Sequence, residues 1–100
     1  MRAALLTGAG LDAGIRLAKL CKALGHPARI TILRYLATRR TGATCSDIVR
    51  QLPYAQSTVS QHLAVLKDAG FVRADDEPPR VRYHAAAAAL EAFKREVGAL

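Results

Sequence analysis

The stretch Gln56–Gly70, QSTVSQHLAVLKDAG, constrains this chain more than any other. At 100° per residue Val59, Leu63 and Leu66 fall on one apolar stripe, while Ser57, Gln61, Ala64 and Asp68 lie opposite. The apolar side must pack against something. The other side opens with Gln56, Ser57, Thr58, Ser60 and Gln61, hydrogen-bonding side chains small enough to approach base edges and phosphates in a major groove. The spacing predicts a helix that starts at Gln56 or Ser57 and ends on a left-handed Gly70.

Charge supports a polyanionic partner. The net charge is +7, and Asp75, Asp76 and Glu77 concentrate three of the eight acids in one short run, so the remaining surface is more basic than the total. Nucleic acid and an anionic membrane surface both fit that balance, but no apolar run approaches the ~20 residues that span a bilayer. The N-terminal MRAALLTGAG is broken by Gly8 and Gly10 before a signal-peptide core can form, which leads to the expectation of a cytoplasmic protein. Residues 1–10 are expected to be a flexible arm and residues 11–100 one domain. Cys21 and Cys45 have neither disulfide-framework nor zinc-finger spacing.

Between Leu11 and Leu24 the apolar residues cover more than half of a helix circumference, too wide an arc for one packing surface. A helix with two apolar faces at the edge of a small domain packs on its own core and on a second subunit. Gly25-His26-Pro27 ends this helix and starts the next, Ala28–Thr38. Arg39–Ala43 reads as a loop. Thr44 then caps a short helix, with Asp47 returning the hydrogen bond, and Pro53 stops it. A short capped helix, a tight turn and a second amphipathic helix make a helix-turn-helix.

After Gly70 the hydrophobic period changes from 3.6 to 2. Phe71–Ala74 and Arg80–His84 read as hairpin strands joined by the loop Asp75–Pro79, with Arg80, Arg82 and His84 on one cationic face. Such a hairpin beside a groove-reading helix is a wing. Ala85–Leu100 closes the chain as an alanine-rich helix with Leu90, Phe93, Val97 and Leu100 on one stripe that has little left to cover in its own domain. The expected fold is mainly α with a small β-hairpin, a winged helix-turn-helix in the order α-α-α-α-β-β-α. The expected dimer forms through the first and last helices, with Leu11, Ile15, Leu90, Phe93 and Val97 at the interface.

Three blocks, CKALGHPARITILRYL, SDIVRQL with QSTVSQHLAVLKDAGFV, and RVRYH, resemble in order the ArsR/SmtB family of winged-helix repressors. The resemblance covers Ala18–His84 and implies a homodimer that binds an inverted-repeat operator in double-stranded DNA and leaves it when an inducer is sensed. It places Gln56, Ser57, Thr58, Ser60, Gln61 and His62 at or near DNA, although His62 lies on the flank of the apolar stripe, where a structural hydrogen bond is an equal reading. Lys67, Arg73, Arg80 and Arg82 are candidates for phosphate or minor-groove contact. The acidic tip Asp75–Glu77 is expected to be repelled by phosphate, pointing away from the duplex or making a short, stiff wing.

The family's metal-sensing sites are broken here. Thr44 and Ser46 occupy the positions of its two thiolates before Asp47, and the last helix has no His, Cys or Asp, so no metal or other cofactor is expected. Cys45, in a first helical turn, is a candidate for a lowered pKa, and Cys21 and Cys45 together are candidate sensing thiols. The bland reading makes both small buried hydrophobes. The inducer is not identified. A protein-interaction winged helix is the alternative, which the polar helix face and cationic strand disfavour. No nucleophile–base pair, phosphate-binding Gly loop or paired carboxylates point to an enzyme.

Overall fold

The computed structural model describes residues 7–100. Helix α1 (Gly8–Ala23) is followed by α2 (Pro27–Ala37), the two-residue strand β1 (Ala43–Thr44), α3 (Cys45–Gln51), α4 (Gln56–Asp68), the hairpin β2 (Val72–Glu77) and β3 (Arg80–Ala85), and α5 (Ala87–Gly98). The expected arm at 1–10 falls partly outside the described residues. Gly8–Gly10 already belong to α1, so the helix begins three residues before Leu11.

Local chemistry sets the element boundaries. His26 caps α2, its Nδ1 accepting the Ala28 N–H at 3.0 Å, and Pro27 occupies the first turn, where its missing N–H costs nothing. Gly70, at φ +85°, takes the left-handed position after α4. The apolar stripe of α4 is buried as its period requires: Val59, Leu63 and Leu66 join Ile32, Leu36, Ile48 and Phe71 in the core.

The sheet differs from the expected hairpin in two ways. It has a third strand, β1, and the order is β1-β3-β2 with both pairings antiparallel. Residues read as loop thus supply Ala43, which pairs with Tyr83 as Thr44 does with Arg82. Gly42, at φ +73°, makes this approach possible, since a Cβ there would lie 2.5 Å from the Tyr83 carbonyl oxygen. The second difference is the acidic run. Asp75, Asp76 and Glu77 continue β2 opposite Arg82, Val81 and Arg80, which leaves Pro78-Pro79 as the turn. Arg82 reaches diagonally across the ladder to Glu77, an opposite-charge contact that offsets weak strand formers.

The α5 stripe also needs correction. Leu90 and Phe93 pack on this chain's own core, where the Phe93 ring meets Phe71 edge-on at a centroid distance of 5.2 Å. Leu11 and Ile15, each 61% exposed, and Val97 remain uncovered. Leu20 and Leu24 show that the broad arc of α1 is divided, with its C-terminal half against the core and its N-terminal half in solvent.

Candidate nucleic-acid interface

The capping box expected at α3 is present in both directions. Thr44 Oγ1 accepts the Asp47 N–H at 3.2 Å, and Asp47 Oδ2 accepts the Thr44 N–H at 3.0 Å. That backbone hydrogen bond from Thr44 is the main cause holding the Asp47 carboxyl below its ordinary pKa, helped by the Thr44 hydroxyl, Arg50 and Arg39 against a smaller opposing effect of burial. Arg50 also pairs with Asp47 one turn on. The short helix is therefore fixed at its start, Leu52 caps its end, and four residues later α4 begins.

No side chain caps α4, because Ala55 precedes it. Its first-turn N–H groups and positive dipole end are free to meet a phosphate. Gln56, Ser57, Ser60, Gln61 and Lys67 are exposed and Thr58 is half-buried, so the polar side of α4 faces outward as the period predicted.

His62 faces a different way. Arg29 Nη1 donates to its Nδ1 at 3.2 Å, and its ring lies 4.5 Å from that of His26. Arg29 also donates from Nε to the Ala23 carbonyl at 2.6 Å and from Nη2 to that of Lys22 at 3.3 Å. One guanidinium thus ties the end of α1 to the flank of α4. Burial, followed by the charges of His26 and Arg29, pushes the His62 pKa down. Of the two readings left open for His62, the structure shows the internal hydrogen bond. Sequence reasoning missed Arg29 as an organising residue, since its partner lies 33 positions away and has no periodic signature.

The cationic strand face is partly paired with the wing's own acids. Arg82 Nε lies 3.2 Å from Glu77, Arg73 Nε 3.3 Å from Asp75, and His84 Nε2 3.2 Å from the other Asp75 oxygen. Arg82 also donates to the Thr41 carbonyl at 3.4 Å and is only 28% exposed. Within the acidic tip, Asp75 and Glu77 hold the wing's own bases. Among the described residues Arg80 makes no ion pair.

The two thiols part ways: Cys45 packs against the core, as the packing reading expected, and Cys21 does not. Cys45 is half-buried with Sγ 3.9 Å from the Gln56 carbonyl, and burial raises its pKa rather than lowering it. Cys21 is exposed rather than packed, and both are free. Among the described residues no three His, Cys, Asp or Glu side chains group as metal ligands would, and no helix is long and apolar enough to cross a membrane.

A capped helix, a tight turn, an outward polar helix and a three-stranded wing define a winged helix-turn-helix, the class of domain that presents a helix to the DNA major groove. A family described as helix-turn-helix domain matches residues 24–74. An uncharacterized HTH-type transcriptional regulator of Methanocaldococcus jannaschii is 42% identical over 60 residues, 60% of this chain and 66% of that protein. The chain spans 66% of the length of the curated relatives it matches. Among solved structures, an ArsR-like transcriptional regulator from Rhodococcus sp. RHA1 superposes with a TM-score of 0.76 at 27% identity, covering 88% of this chain and 84% of that one. A homodimeric winged helix-turn-helix DNA-binding domain from Mycobacterium bovis, described as a possible ArsR-family regulator, also gives 0.76, at 26% identity over 93% of this chain and 86% of that one. The chain belongs to the helix-turn-helix domain family, and its fold is similar to that of winged-helix transcription regulators of the ArsR type. Family and fold are those of DNA-binding regulators, not of enzymes.

Proposed function

We propose that the chain is a cytoplasmic, homodimeric transcriptional repressor that binds an inverted-repeat operator and leaves it in response to a chemical signal. The observation that carries this reading is the division of α4, which buries Val59, Leu63 and Leu66 while presenting Ser57, Ser60 and Gln61 outward from an uncapped N-terminus. Gln56, Ser57, Thr58, Ser60 and Gln61 meet base edges and nearby phosphates, with Lys67 and the wing's Arg73, Arg80 and Arg82 on the backbone. His62 sets the angle of α4 from behind. The regulator names of the relatives and the homodimeric neighbour support the reading, and the exposed Leu11 and Ile15 supply an apolar surface for a second copy. If the signal is thiol-directed it enters at Cys21, the exposed thiol, since Cys45 is not activated.

Fluorescence anisotropy of a labelled duplex from the gene's own upstream region tests this. Tight binding to that duplex, at least tenfold weaker binding to a scrambled one, and a dimer by sedimentation are expected. Equal affinity for the two duplexes would favour a protein-interaction role instead. Repeating the titration with an oxidant or arsenite, on wild type and Cys21→Ser, tests the thiol signal: release by wild type alone supports it.

A further inference from the structure

A groove of about 780 Å³ opens between α1 and the second half of α4. Its floor is apolar, with Leu20 from α1 and Val65 from α4. Val65 is 38% exposed, and among the described residues it is the large hydrophobic side chain that α4 leaves in water. Around the helix it stands between Gln61 and His62, and it lines the groove together with Leu20 of α1. The rim carries Arg16, Lys19 and Lys22 from α1 and Arg29 from α2, against the single carboxylate of Asp68. Among the described residues none of Arg16, Lys19, Lys22 or Asp68 makes an ion pair.

Small-molecule sites have this size and makeup, a mostly apolar cleft with a few convergent polar groups. Here the polar groups are nearly all of one sign. A bare phosphate would satisfy the rim and leave the floor wet, whereas a neutral apolar molecule would cover the floor and bury cations without a partner. An apolar body ending in one negative group answers both. Arg29 gives the site a link to α4, because the guanidinium that would meet the anion also holds His62 and the carbonyls closing α1.

We propose that this groove binds a small amphipathic monoanion, an aryl or medium-chain carboxylate, with its body on Leu20 and Val65 and its carboxylate at Arg29, Lys19 and Lys22. The consequence for DNA rests on the function proposed above: occupancy draws Arg29 from His62 and releases the set angle of α4.

The site itself is tested on the full chain without DNA, by isothermal titration calorimetry with 4-phenylbutyrate, 4-phenylbutanol and inorganic phosphate. Saturable binding of phenylbutyrate is expected, at least tenfold tighter than either of the other two. Val65→Glu, and separately Lys19→Gln with Lys22→Gln, should each weaken it at least tenfold with far-UV circular dichroism and thermal unfolding unchanged. Absence of phenylbutyrate binding, equal affinity for the alcohol, or full binding by Val65→Glu would overturn the proposal. So would conversion of a dimer to a monomer by Val65→Glu, which would make the groove a seat for a second copy. A chain that binds phenylbutyrate by these criteria yet prefers no duplex would keep the site and defeat the operator reading.

Discussion

Leu63 and Gln61 stand two positions apart on α4, about 200° around the helix, and the structure assigns them opposite duties. Leu63 is 1% exposed within the core that contains Ile48, Val59, Leu66 and Phe71. Truncating such a leucine to alanine costs about 2–5 kcal/mol, the lost transfer energy plus the cavity left behind. A domain has about 5–15 kcal/mol in total. Taking about 3 kcal/mol and ~5 °C per kcal/mol for a chain of this size, Leu63→Ala should lower Tm by ~15 °C. Gln61 is exposed, so Gln61→Ala should change stability by no more than about 0.5 kcal/mol. Its effect belongs in DNA discrimination, where a lost bidentate base contact is worth about 1–3 kcal/mol, or roughly 5- to 150-fold between operator and scrambled duplex. Circular dichroism melts and duplex anisotropy on both variants read the two quantities independently. Comparable loss of Tm in the two variants would refute the assignment of faces. Equal loss by Gln61→Ala on both duplexes would make Gln61 a backbone contact rather than a base reader.

Four further outcomes follow from the contacts described. Thr44→Ala deletes the capping hydroxyl of α3 and should cost about 1 kcal/mol in urea unfolding, with Asp47 titrating closer to its ordinary value by NMR. The His62 pKa is lowered on folding, so the unfolded chain binds the proton more readily; stability should be full above about pH 6.5 and fall as pH drops through the folded value, with a shallower dependence in His62→Gln melts. Glu77→Gln removes the carboxylate that holds Arg82, so duplex affinity should rise severalfold at low salt and the gain should fade at high salt. Leu11→Asp with Ile15→Asp should give monomers in sedimentation with unchanged melting of the protomer, and a surviving dimer would move the interface elsewhere.

What could be read from the chain was what periodicity and capping encode locally. The stripe Val59-Leu63-Leu66 and the Thr44–Asp47 box are complete within one or two helical turns, and both appear as expected. The features that escaped depend on partners distant in sequence. Ala43–Thr44 has too few residues to show alternation and becomes a strand only because β3, some forty residues on, offers an edge. Asp75–Glu77 has the composition of a loop, and backbone pairing with β3 makes it a strand. Leu90 and Phe93 form an apolar stripe that fits a partner subunit and this chain's core equally well, and only the fold shows the Phe71 ring against which Phe93 packs. At the candidate interface the outward residues of α4 were legible from angle alone. The inward pull of Arg29 on His62 was not, nor was the partial pairing of the wing's bases with its acids.

The short β1 strand joins the parts that would touch DNA. Thr44 is both a rung of the sheet and the cap of α3, with no residue between the two roles. Gly42 lets this segment lie so close to Tyr83 that backbone, not side chain, forms the joint. The helix pair and the wing are therefore the jaws of one caliper whose opening is set by main-chain hydrogen bonds. Residues along either jaw can change and alter what is gripped, while the gauge of the instrument stays fixed. Evolution of a new operator would accordingly proceed by exchanging contacts on α4 or the wing at constant spacing between them.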